Sequence, residues 1–197
     1  MDYTYIFVII GAVICLIASA GMNSTFSRYQ RVRSMSGMTG AMAAERILRN
    51  AGIYDVQVQH IQGNLTDHYN PMNKTLSLSD SVYNSTSVAA VGVAAHECGH
   101  AIQHAKGYVP LRVRGAFVPN RKYWFQPGMA IDHHWSDLPG SMSSVLIQAG
   151  IIMFSLAVLF QLITLPVEFN ASHRAMQELE HTGILGSVEL EGYEKSS

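Results

Sequence analysis

Two long apolar runs enclose a more polar centre. The first, "YIFVIIGAVICLIASAGM" (Tyr5–Met22), holds 18 residues without a charge. At about 1.5 Å per residue it would extend roughly 27 Å as a helix, close to the hydrocarbon thickness of a bilayer. The "ASA" at 18–20 imitates a signal-peptide cleavage site, but the preceding residues carry Asp2 and no Lys or Arg. A secretory leader has the opposite charge, so an uncleaved anchor is expected. The second run, "VLIQAGIIMFSLAVLFQLITLPV" (Val145–Val167), has 23 residues, with Gln148 and Gln161 as its strongly polar members. Its length and apolarity predict a second span.

The centre alternates between helical and strand periods. A helix is expected from Thr39 to Ala51, capped by Thr39 or Ser36 and stopped by Gly52, with Met42, Ile47, Leu48 and Ala51 as its buried stripe. "VQVQHI" (56–61) alternates as a half-buried strand does. "LTDHY" and "KTLSLS" flank the turn signal "NPMN" and read as a β-hairpin. From Val88 small apolar residues occur all round the next helix, which predicts burial on most faces. Ser85, Thr86 and Ser87 offer its cap and Gly107 its stop. Helix, strands and helix make a small α+β domain.

Composition strengthens the case for contact with a lipid bilayer. The 197 residues are 48% hydrophobic and 14% charged, with a mean hydropathy of +0.13. Soluble domains carry about 25% charged residues. A net charge of −1 speaks against a nucleic-acid partner. Arg28, Arg31 and Arg33 follow the first run, which by the positive-inside rule puts that end in the cytoplasm. Two cysteines, Cys15 and Cys98, do not make a disulfide framework.

The candidate chemistry sits in "VAAHECGHAIQH" (93–104). His96 and His100, one helical turn apart, can give nitrogens to one zinc ion, and Glu97 is angled to act as general base on a water. The competing explanation is a buried helix with incidental histidines. It leaves two imidazoles and a carboxylate in an apolar helix, where unpaired polar groups are costly. His104 lies about 12 Å along the axis from His96, too far to share the ion. Cys98 points about 160° from the His96 line and reads as a packed thiol. Catalytic zinc takes three protein ligands and a water. Candidates for the third are Asp67, His68, His133, His134, Glu168, His173 and Glu178, with Glu168 prominent directly after the second apolar run. The "DHH" at 132–134 is treated as incidental.

"LTDHYNP", "LSLS" and "SVAAVGVAAHECGHAIQHA", together with "FSLAVLFQLITLPVEFNAS", resemble the YugP-type membrane zinc metallopeptidases. That family is a distant relative of the HtpX heat-shock and CAAX-prenyl proteases. The resemblance covers about residues 1–118 and 145–185. It implies that His96, His100 and Glu168 bind Zn2+, that Glu97 is the catalytic base, and that the hairpin edge near Thr75–Ser79 receives a substrate peptide as an added strand. An aspartate commonly stands four residues beyond the glutamate ligand in the related proteases; here that position is Ser172. His173 or Arg174 is a guess for the oxyanion stabiliser.

The chain is thus expected to be an α+β, gluzincin-like, membrane-anchored domain with an HExxH helix, a β-hairpin and at least two transmembrane helices. Its segments are a transmembrane helix (5–22), a zinc metallopeptidase core (23–118), a divergent polar segment (119–144), a transmembrane helix (145–167), and a helix with the third ligand and the C-terminal tail (168–197). The expected function is a membrane-embedded zinc endopeptidase acting on a peptide or protein substrate, in the cell membrane with its active site facing the cytoplasm. The alternative is an inactive membrane protein with a vestigial or structural metal site. One conflict follows. With only two spans, His96 and Glu168 fall on opposite sides of the bilayer. The family would have another membrane helix where 119–144 is polar, and no closing hydrophobic helix follows "EKSS". Three escapes remain: the second run is not a through-span, a partner replaces 119–144, or this copy is inactive.

Overall fold

The structure, a computed structural model, describes residues 3–117, 140–186 and 189–190. Most of the 119–144 segment, its "DHH" and the residues from 191 onward lie outside the described residues. Eight elements follow in order: α1 (Tyr3–Tyr29), α2 (Gly40–Asn50), β1 (Gln57–His60), β2 (His68–Asn70), β3 (Thr75–Leu78), α3 (Val88–Ala105), α4 (Val109–Phe117) and α5 (Gly140–Thr182). The chain forms two compact units, residues 1–105 with 171–197, and residues 106–170.

In the first unit each element begins where the local chemistry directs. Thr39 caps α2 by accepting from the Met42 N–H, and Gly52 takes the left-handed conformation just beyond its end. Ile47 and Leu48 are buried as expected, joined by Ala41, Ala43 and Ala44, whereas Met42 is exposed. The buried stripe is therefore built from alanines. They let α2 lie close to α3, which is itself lined by Ala90, Val91, Ala94, Ala95 and Ala101. Ser87 caps α3 by accepting from the Ala90 N–H, and Gly107, with positive φ, follows its last turn.

The hairpin forms: β2 and β3 are antiparallel, with His68 opposite Ser77 and Asn70 opposite Thr75. The sheet order corrects one expectation. β1 pairs with β3 in parallel, which makes β3 the central strand of a β1-β3-β2 sheet. All four β3 residues are buried. Thr75–Ser79 is therefore no edge and has no open ladder for an added strand.

α1 leads into a segment that joins the same core. The Ser34 N–H donates to the Thr86 carbonyl, and the Val88 N–H donates to the Val32 carbonyl. At the other end of the chain, Ala175 and Leu179 of α5 bury into the core, with Ile184 and Leu185 closing it. Two glycines permit the closest approaches. A Cβ on Gly40 would lie 2.4 Å from the Val82 carbonyl oxygen, and one on Gly99 would lie 2.4 Å from that of Ala171.

In the second unit α4 is joined to α5 by an ion pair, Arg114 Nη1 to Glu168 Oε1 at 2.7 Å. α5 passes through Pro166 without ending. Proline has no N–H, so the Leu162 carbonyl loses its helical donor there.

The expectation of at least two transmembrane helices, over 5–22 and 145–167, is overturned. Among the described residues no helix is long and apolar enough to cross a membrane. Both runs are helical, yet neither is a helix in its own right. α1 continues through Asn23, Ser24 and Arg28, and α5 continues through Glu168 to the polar turns ending at Thr182. Apolar residues make up only part of each helix. The conflict of sides between His96 and Glu168 rested on those two spans and falls with them.

Gly99→Ala would drive a methyl group into the Ala171 backbone, which cannot rotate away. Chemical denaturation should show a loss of about 1–3 kcal/mol, the range for overpacking a tight core. An unchanged midpoint would mean that α3 and α5 are not held this closely.

Candidate metal and catalytic site

α3 carries the motif. Its angular order follows from 3.6 residues per turn: taking His96 as zero, His100 stands at about 40°, His104 at about 80° and Glu97 at about 100°. His96 and His100 thus form one side of a narrow polar sector, and Glu97 with His104 form the other. The imidazoles of His96 and His100 stand edge to face, their centroids 4.9 Å apart.

The partners of these groups divide in the same way. His96 Nδ1 lies 3.1 Å from Ser172 Oγ on α5. His100 Nδ1 lies 3.1 Å from Oε1 of the buried Gln103. An amide oxygen only accepts, so His100 donates from Nδ1, and the neutral ring then has its lone pair on Nε2. That is the tautomer required of a ligand binding through Nε2. Ser172, one turn beyond Glu168 on α5, contacts the first histidine through its hydroxyl. Gln103 was not singled out. Its signal was an amide three residues after His100, where helical neighbours meet.

On the other side of the sector, Glu97 Oε2 accepts from the backbone N–H of Tyr69 at 2.9 Å. His104 Nδ1 meets the Tyr69 hydroxyl at 2.8 Å. Burial, with the charge of Asp55 adding to it, raises the Tyr69 phenol to about 12. The hydroxyl therefore keeps its proton at neutral pH. His104 accordingly meets β2.

The other third-ligand candidates have separate engagements. Asp67 accepts from both the N–H and the hydroxyl of Ser79, and His68 bonds the Thr66 carbonyl. Glu178 accepts from the Asn50 amide. His173 lies 3.1 Å from the Gln177 amide on its own helix. His133 and His134 lie outside the described residues. Glu168, paired with Arg114 in its own unit, precedes Ser172 by one turn on α5.

Cys98 is a packed thiol. It is fully buried, with Sγ 3.6 Å from the Ala44 carbonyl. Burial, reinforced by the nearby charge of Glu97, pushes its pKa well up. In a Cys15→Ser background the native protein should leave Cys98 unmodified by a thiol-specific disulfide reagent and react fully once unfolded. Rapid native labelling would contradict this packing.

Known proteins resemble this chain over most of its length. The chain is 44% identical over 193 residues to a protein of Bacillus subtilis (strain 168) named "Putative membrane protease YugP", covering 97% of this chain and 84% of that protein. No solved structure matches significantly. A family model described as "Putative neutral zinc metallopeptidase" matches residues 4–196, and the chain belongs to that family.

Proposed function

We propose that this protein is a zinc-dependent endopeptidase acting at a membrane, with zinc held by His96, His100 and Glu168 and with Glu97 as general base. The observation that carries the reading is the divided polar sector of α3. Its histidine side is held by Ser172 and Gln103, and its carboxylate is held separately by a main-chain donor. Two imidazoles and a carboxylate are a donor set that zinc accepts, with a fourth position left for a water or substrate. The tautomer of His100 fits such a role, and Ser172 points to α5 as the source of the remaining ligand. Glu168 stands four residues before Ser172 on that helix, which favours it over the other carboxylates.

Zinc, when bound, would supply Lewis acidity towards the scissile carbonyl and the attacking water. The chain's own part begins with Glu97. Its Oε2 is engaged by the Tyr69 N–H, so Oε1 takes the proton of the attacking water and passes it to the leaving amine. Arg114, on Glu168 Oε1, fixes the rotamer of the third ligand.

Association with the bilayer is supported by the name of the similar Bacillus protein and by exposed apolar side chains. Leu16 and Ile17 on α1 are more than 60% exposed, as are Leu162 and Phe169 on α5. Arg28, Arg31 and Arg33 are exposed where α1 ends and would meet anionic headgroups. The purified protein should float with vesicles containing anionic lipid; its recovery in the lipid-free fraction would refute this part.

For the chemistry, the purified protein should hold zinc stoichiometrically and cleave an unfolded casein-like substrate, with activity lost on chelation. Glu97→Gln should lower the rate at least about 100-fold while keeping the metal. Stoichiometric zinc without Glu97-dependent cleavage would instead indicate an inactive metal-binding protein.

A further inference from the structure

β2 is three residues long and lies at the sheet edge, so its ladder to β3 is a weak anchor. Tyr69, its middle residue, is opposite Leu76. Its N–H donates to Glu97, away from the ladder, so Tyr69 and Leu76 form a non-hydrogen-bonded pair and the donor points outward. The same residue reaches α3 a second time through its hydroxyl, which meets His104 Nδ1, with ring centroids 5.9 Å apart. Glu97 and His104 are seven residues apart, about 10 Å along the helix and within about 20° of one another around it. Tyr69 therefore grips one stripe of α3 at two points, two turns apart.

We infer that Tyr69 and His104 form a brace that holds the edge strand on α3 and thereby places the Glu97 carboxylate. The brace rests on the reading of Glu97 as the base for its catalytic consequence, while its structural part stands on the contacts themselves. Both residues are positioning residues. The Tyr69 N–H occupies one carboxylate oxygen and limits the rotation of Glu97, and the hydroxyl–imidazole bond keeps that N–H in place. A main-chain donor can hold a carboxylate only as firmly as its strand is held. With three residues of ladder and the bonds of Asp67 to Ser79 at one end, the Tyr69 side chain supplies the anchor on the α3 side. The third histidine of the motif region thus gains a role distinct from metal binding.

The test uses the full chain loaded with zinc, in the variants Tyr69→Phe, His104→Leu and His104→Gln. All three retain the main-chain amide at position 69, and its hydrogen exchange reports the contact with Glu97 directly. Tyr69→Phe and His104→Leu should speed that exchange about tenfold, the scale of one lost hydrogen bond. Exchange at Val91 and Ala94 in α3 should keep its original rate. His104→Gln, whose amide oxygen can accept from the phenol, should restore the slow exchange. In the first two variants kcat should fall about 10- to 100-fold, as for a misplaced catalytic group, with KM and zinc stoichiometry unchanged. Unchanged exchange at position 69, or equal acceleration throughout α3, would overturn the brace. If the unmodified protein shows no Glu97-dependent cleavage, the peptidase reading fails, and the exchange comparison still decides the brace.

Discussion

The first unit depends on how closely α5 can approach α3. Where residue 99 has no side chain, the Ala171 carbonyl comes within the space a Cβ would fill. The neighbouring positions are then set by helical geometry. Ser172 is brought to His96, while Ala175 and Leu179 continue the contact into the core. A larger residue at 99 would separate the helices and withdraw the hydroxyl from the imidazole. Packing and site chemistry thus share one constraint, the missing side chain at Gly99 between His96 and His100.

Much of this was legible in the residues. The i, i+4 spacing put His96 and His100 on one side of α3, where their rings meet, and the helical rise set His104 apart, where it meets Tyr69. Thr39, Ser87 and the glycines at 52 and 107 marked the helix ends, because capping is local chemistry that single residues express. The alternation around "NPMN" revealed the hairpin. What stayed hidden was non-local. Nothing in "VQVQHI" says which strand it will join, and its parallel pairing moved β3 from edge to centre. The helical period put Met42 in the buried stripe, but the short alanines beside it let the helices meet without it.

The apolar runs taught a different lesson. Hydropathy located helices in both places but not their limits, since α1 and α5 extend well past their apolar portions. A length of apolar sequence describes composition; a helix is bounded by caps and breakers. Pro166 would ordinarily mark such a boundary, yet α5 continues through it to Glu168 and Ser172. Tyr69 was missed for a related reason. Its main-chain N–H contributes to the site, and a backbone group leaves no trace in the identity of the residue.

The short edge strand also bears on how the molecule behaves in company. An open sheet edge recruits any extended chain, including that of another copy, and long flat edges seed aggregation. β2 presents only three residues, and the outward donor at its centre is already taken by Glu97. Two copies meeting edge to edge would have to break that bond before forming one of their own. The carboxylate assigned to chemistry therefore also guards the molecule against self-association.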